Sequence, residues 1–238
     1  MDNVLRIRPS MGQVVYGDAG IPVADIELGG VPRGAVLILC EAGELESTAD
    51  DIANRFAQHG YESTTADLDA ALTAGDDATT GAIGVLLEHV SRRGWTPDQV
   101  GVVGYGPAAR GALLAALTLP VGAAVSATER LDDVVPATGA HSLAVVVPWL
   151  GMFAADALDV AAPRVAAFGA QVDAASPAFT TVLAYPHVSG QFYRHSREPS
   201  EHAAAFDSWQ RTLEWLNLRV VPRPTPLAQA WRERHTAA

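Results

Sequence analysis

Short apolar runs alternate with stretches of helical periodicity along almost the whole chain, separated only by Gly, Pro and Asp breaks. Val4–Ile7, Val14–Tyr16 and Val23–Leu28 are brief alternating runs, which predict an antiparallel entry to a sheet. Ala35–Cys40 is continuously apolar and reads as a buried strand. A helix follows from about Ser47 to His59, with Ser47 or Thr48 as its N-cap and Gly60 as its stop. Tyr61–Ala66 predicts a second strand, and 79–93 a helix with Ile83, Leu86, Leu87 and Val90 on one face. Val100–Val103 is a third buried strand that runs directly into a helix over 107–118. Val121–Ser126, Ala144–Phe153 and Phe179–Ala184 predict further strands, and helices are expected near 161–174 and 201–216. The order predicts an α/β chain with a doubly wound, mostly parallel sheet flanked by helices and right-handed crossovers. Residues 1–238 read as one domain, with 219–238 a proline-punctuated, then helical, extension that packs across the body or onto a second copy. In such sheets ligands bind beyond the carboxyl ends of the strands. That singles out Cys40–Ala42, Gly104–Pro107, Ala154–Asp159 and Pro186–Arg194.

Composition narrows the chemistry. A formal charge of −11 argues against nucleic acid and against anionic membrane surfaces as partners. All 16 basic residues are arginine, so no lysine is present to form a Schiff base or to serve a phosphate loop. The single cysteine, Cys40, excludes an internal disulfide and a cysteine-based zinc cluster. The seven histidines show no metal-ligand spacing, and neither a metal nor another cofactor is expected. Met1–Ser10 does not resemble a signal peptide, and no apolar run approaches a membrane span, so a soluble cytoplasmic protein is expected.

The most informative stretch is Val100-Gly-Val-Val-Gly-Tyr-Gly-Pro-Ala-Ala-Arg-Gly-Ala-Leu-Leu. A strand passes through a glycine-rich turn straight into an alanine-rich helix, the form of the nucleophile elbow of α/β-hydrolases. On that template Gly104 and Ala108 are the small flanks, and Gly106 stands where Ser or Cys would be. Glycine adopts the strained backbone of that position freely, so the turn can outlast its nucleophile. Pro107 follows, and proline has no N–H to donate to an oxyanion. One lost oxyanion donor typically costs roughly two to three orders of magnitude in rate. A rival reading is a dinucleotide fingerprint, Gly104-x-Gly106-x-x-Ala109, with Glu129 as a ribose ligand. Such sites usually open their domain, whereas two strand–helix units precede this turn.

Three further segments resemble the dienelactone hydrolase family. Val36-Leu-Ile-Leu-Cys-Glu-Ala-Gly, followed by a helix and Gly60-Tyr-Glu-Ser-Thr-Thr-Ala-Asp-Leu, is similar to the family's start. Glu41 falls on its active-site glutamate. Pro148-Trp-Leu-Gly-Met-Phe-Ala-Ala-Asp-Ala-Leu-Asp-Val resembles the strand and turn that carry the triad acid, and the register places that acid at Asp156 or at Ala157. Tyr185-Pro-His-Val-Ser-Gly-Gln-Phe-Tyr-Arg resembles the family's histidine loop, with Gly190 in the place of the catalytic histidine and Arg194 in the place of a substrate-carboxylate ligand. The resemblance runs from about residue 12 to 218 and implies an α/β-hydrolase fold with a degenerate triad.

These readings leave Glu41 as the first candidate for acid/base work and His187, three residues before Gly190, as a displaced base. A structural carboxylate paired with Arg194 is the rival account of Glu41. Cys40, Ala42, Tyr105, Pro107, Trp149, Tyr193 and Arg194 are the expected pocket wall, suited to a small carboxylate or polyketide-like ligand. The expected function is therefore a small-molecule binder, or an isomerase, cyclase or dehydratase without a covalent intermediate. Ester or lactone hydrolysis by displaced residues is the alternative, with the dinucleotide module behind it.

Overall fold

The computed structural model describes residues 6–135, 143–155, 161–188, 190–194 and 199–236. The chain opens with a hairpin of β1 (Ser10–Tyr16) and β2 (Ala19–Ile26), turned at Gly17 with φ +60°. The first predicted run is no strand over its described residues, Arg6 and Ile7. Then β3 (Gly34–Cys40), β4 (Tyr61–Asp67), β5 (Val100–Tyr105), β6 (Ala123–Thr128), β7 (Trp149–Ala155) and β8 (Thr180–Pro186) complete one sheet in the order β1-β2-β4-β3-β5-β6-β7-β8. Pairings among β3 to β8 are parallel, while β1–β2 and β2–β4 are antiparallel. Every residue of β3, β5, β6 and β7 is buried, which explains why β3 and β5 read as buried apolar runs.

The first crossover is wound in three parts: α1 (Leu45–Thr48), a π-wound turn (Ala49–Ala53) and α2 (Asn54–Gln58). It starts two residues before the predicted Ser47, so Thr48 is a buried helical residue rather than a cap. A short α3 (Asp69–Ala74) and α4 (Asp76–Arg92) follow β4. Then come α5 (Ala109–Thr118), α6 (Ala161–Ala175), α7 (Pro199–Arg219) and α8 (Pro226–Thr236). Residues of α4, α5 and α6 join one apolar cluster on the sheet, and residues of α2 and α7 join the second. No helix among the described residues is long and apolar enough to cross a membrane.

β7 begins at Trp149, five residues later than the apolar run suggests. Val145 and Val147 are buried, but the stretch reaches the sheet as irregular chain, with Val146 N–H donating to Ala116 O at 2.8 Å. Pro148, without an N–H, holds the strand's start back. Behind the antiparallel edge, Arg93 ties β2 to β4. It donates to Asp25 (2.9 Å), Thr64 (2.9 Å), Glu62 (3.0 Å) and the Ile26 carbonyl (3.1 Å). The same Asp25 meets His89 at 2.9 Å, and Trp95 donates to Glu62 at 2.9 Å.

Candidate functional site

Four strand ends converge on Gly106. β5 ends at Tyr105 and turns through the tight helical turn Gly106–Ala108 into α5. A β-carbon on Gly104 would fall against the Ala108 carbonyl and 2.8 Å from Ala109 Cα, so strand and helix meet too closely there for any side chain. Gly106 itself sits at φ +56°. A β-carbon there would lie 3.2 Å from the Tyr193 hydroxyl oxygen and 3.4 Å from Glu41 Oε1. The tyrosine and the glutamate thus close over the place from which a nucleophile would project. Pro107 is exposed beside it, on the rim.

Glu41 follows β3 directly and is half-buried. Burial, then repulsion from Glu44, Glu129 and Asp133, raises its pKa above the ordinary carboxylate value, against a lowering effect of Arg194. Its carboxylate makes no hydrogen bond or ion pair among the described residues. Arg194 pairs instead with Glu44, three residues on, and also reaches Thr48 Oγ1 at 3.4 Å. The rival Arg194–Glu41 ion pair is not formed: Arg194 pairs with Glu44, its buried Nε makes no hydrogen bond, and its charge acts on Glu41 only at longer range. Tyr193 is 5% exposed and its hydroxyl donates to Glu129 Oε2 at 3.3 Å. Burial, with the charge of Glu129, pushes its pKa up, so the phenol stays protonated. Its ring lies 5.1 Å from that of Tyr105, whose pKa burial also raises. The loop after β8 is held in place by buried Val188 and Phe192, the latter 4.8 Å from the Tyr185 ring, and this carries Tyr193 over the elbow.

Glu129 is the residue that sequence reasoning assigned to a ribose and not to this site. It directly follows β6, a strand end outside the four places singled out, although the same rule about carboxyl ends covers it. Beside it, a cavity of about 250 Å³ opens among Glu129, Arg130, Leu131, Asp132, Ala154, Arg164 and Val165. Other expected residues lie elsewhere. Cys40 is fully buried in β3, its Sγ 3.4 Å from the Ala66 carbonyl, and burial pushes its thiol up to about 12. It is neither a thiolate nor a pocket surface. Trp149 is a core residue at the opposite end of its strand, with Nε1 donating to Ser126 Oγ at 3.0 Å. The later start of β7 accounts for that misplacement. Ala42 is an exposed turn residue. His187 is exposed and directly follows β8, at φ +59°, the one non-glycine residue with positive φ among those described. Gly190, at φ +85°, is also exposed, with open space where a side chain would begin. Asp156 and Ala157 fall outside the described residues.

The sequence model of the dienelactone hydrolase family matches residues 68–219. The chain belongs to the dienelactone hydrolase family. A putative dienelactone hydrolase from Klebsiella pneumoniae has 19% identity and a TM-score of 0.67 over 90% of this chain and 99% of its own. Thermogutta terrifontis esterase 2, phosphoramylated by tabun, has 13% identity and a TM-score of 0.66 over 87% and 93%. The same esterase phosphorylated by paraoxon has 12% identity and a TM-score of 0.65 over the same shares. The comparison with curated proteins gives no match. The α/β-hydrolase fold is thus that of the dienelactone hydrolases and esterases. The dinucleotide reading gives way to it: this sheet opens with an antiparallel hairpin, and Pro107 removes a donor from the turn that would cradle a pyrophosphate.

Proposed function

We propose that this dienelactone hydrolase relative is a non-covalent acid/base catalyst acting on a small molecule over Gly106. The observation that carries the reading is the replacement of the elbow nucleophile by two approaching oxygens, Tyr193 Oη and Glu41 Oε1. A carboxyl with a raised pKa and no partner among the described residues suits a group that takes a proton from substrate and returns it to another atom. A proton moved from one carbon to another gives isomerisation. A proton delivered to a departing hydroxyl gives dehydration. The neutral Tyr193 hydroxyl supplies the hydrogen bond that orients the substrate's oxygen. Acyl transfer finds little support: Gly106 offers no oxygen, Cys40 is buried as a thiol, and Pro107 removes an oxyanion donor. Hydrolysis by displaced residues is the second reading, favoured by membership of the family.

The test follows a panel of small ketones, β-hydroxy carbonyl compounds and lactones in D2O by NMR, with the mass of the intact protein recorded after exposure to p-nitrophenyl acetate. Deuterium uptake or turnover is expected, falling about a hundredfold or more in Glu41→Gln, with no acyl adduct. An acyl adduct, or a Glu41→Gln variant that turns over as fast, overturns the proposal. Saturable binding without turnover selects a binder instead.

A further inference from the structure

α7 lies over β6 and β7, and between it and the edge strand β8 a second cavity opens, of about 210 Å³. Leu150, Leu183, Trp215 and Leu218 give it an apolar lining. Leu150 and Thr181, which also lines it, are the second residues of parallel strands, so it lies toward their amino ends. The elbow stands at the carboxyl end of β5, away from it. Arg219 closes one side of the cavity. Its guanidinium carbon lies 3.4 Å from the centre of the Trp215 ring and 5.1 Å from that of Phe179. Stacking engages the face of the planar group and leaves its N–H edge free. Arg211, two turns earlier, is matched by Asp207 at 2.6 Å, whereas Arg219 has no ion pair or hydrogen bond among the described residues. Glu214 is exposed on the rim and does not act on Arg219, whose pKa burial alone lowers. The wall supplies an independent observation. Trp215 is 7% exposed, and its indole N–H is buried without an acceptor among the described residues. Buried donors are normally paired, and each exception asks for an acceptor.

We infer that this cavity is a binding site for a small carboxylic acid with an apolar tail, its carboxylate on the N–H edge of Arg219. An arginine already held flat on two rings loses little freedom on accepting a carboxylate, and the planar fork suits a bidentate contact. Leu150, Leu183 and Leu218 give the tail apolar surface to cover, which favours binding through the water released. The carboxylate also brings acceptor oxygens to a wall that holds an unpaired donor. An alcohol with the same tail leaves Arg219 unmatched, and an amine meets it as a like charge. The site is separate from the one over Gly106, and the inference does not depend on the reaction proposed there.

Octanoate, octanol and octylammonium, titrated into the full chain by calorimetry, separate the outcomes, with NMR spectra of the tryptophan indole N–H groups recorded alongside. Octanoate is expected to bind at least tenfold tighter than octanol, and octylammonium not measurably. Among the five tryptophans, the indole signal that disappears in Trp215→Phe should shift most when octanoate is added. Arg219→Gln should bring octanoate down to the level of octanol, with urea denaturation confirming that the variant is folded. Should it not fold, Arg219→Lys, which keeps the charge but loses the fork, is expected to weaken octanoate several-fold. Arg194→Gln, which removes the arginine beside the elbow, should bind octanoate as the unaltered chain does. Octanol bound as tightly as octanoate, no saturable binding of octanoate, a loss in Arg194→Gln but not at Arg219, or an unmoved Trp215 signal each overturns the inference.

Discussion

At the residue scale the largest departure from a working hydrolase lies in two adjacent side chains, Gly106 and Pro107, and it has an energetic counterpart in Glu41. Burial and the neighbouring carboxylates raise the folded-state pKa of Glu41, so the native protein holds this proton more tightly than the unfolded chain does. Stability from this group is therefore full below the unfolded value near 4.5 and lost as pH rises through the raised one. Glu41→Gln removes the penalty. We expect the variant to be more stable than the wild type at pH 7.5, by about 0.5 kcal/mol given solvent screening, and not at pH 4. Urea denaturation at both pH values checks this, and a variant less stable at pH 7.5 would contradict it. Gly106 and Pro107 were legible because an elbow is a local motif. The pairing of Arg194 with Glu44 was not, since it joins residues 150 apart and two glutamates three positions apart compete for one guanidinium. Only the fold decides which wins.

At the element scale the elbow depends on contact between β5 and α5 rather than on hydrogen bonds from its side chains. Gly104 makes that contact possible, and its missing β-carbon would strike backbone atoms of Ala108 and Ala109 that cannot rotate away. Gly104→Ala should destabilise by about 3 kcal/mol, at the upper end of the usual overpacking cost. Gly12→Ala in β1 is the contrast: its nearest neighbour would be Val23 Cγ2 at 3.7 Å, ordinary contact, so it should cost far less. Chemical denaturation of the two variants reads the difference, and equal losses would remove the steric account of the elbow. The alternation of strands and helices was legible chiefly because β3, β5 and β7 are buried and apolar throughout. Where the sequence misled, a backbone property intervened. Pro148 postponed β7 and moved Trp149 to the wrong end of the sheet. α3 spans six residues, too few for helical periodicity to show.

At the scale of the whole molecule, α8 stands apart from the two cores. Leu227 and Trp231, one helical turn apart, are 77% and 56% exposed, and none of the described side chains of α8 belongs to either apolar cluster. The preceding segment is anchored differently: Arg223 lies 3.6 Å over the Trp95 ring and donates to the Gly94 carbonyl at 2.7 Å. The chain is thus tied down as far as Arg223, and apolar burial beyond it contributes little. Removal of residues 225–238 should then leave the unfolding free energy within about 0.5 kcal/mol, as expected for changes away from buried contacts. The denaturant slope should also hold, because little surface beyond Arg223 is hidden on folding. The expected loss is confined to the emission of one exposed tryptophan, Trp231. A larger loss of stability would mean that Leu227 and Trp231 are covered in solution, and sedimentation at two protein concentrations would then show whether a second copy covers them. A loss that shrinks on dilution identifies that copy, because association stabilises the full chain by mass action. A loss independent of concentration places the covering surface within the same chain.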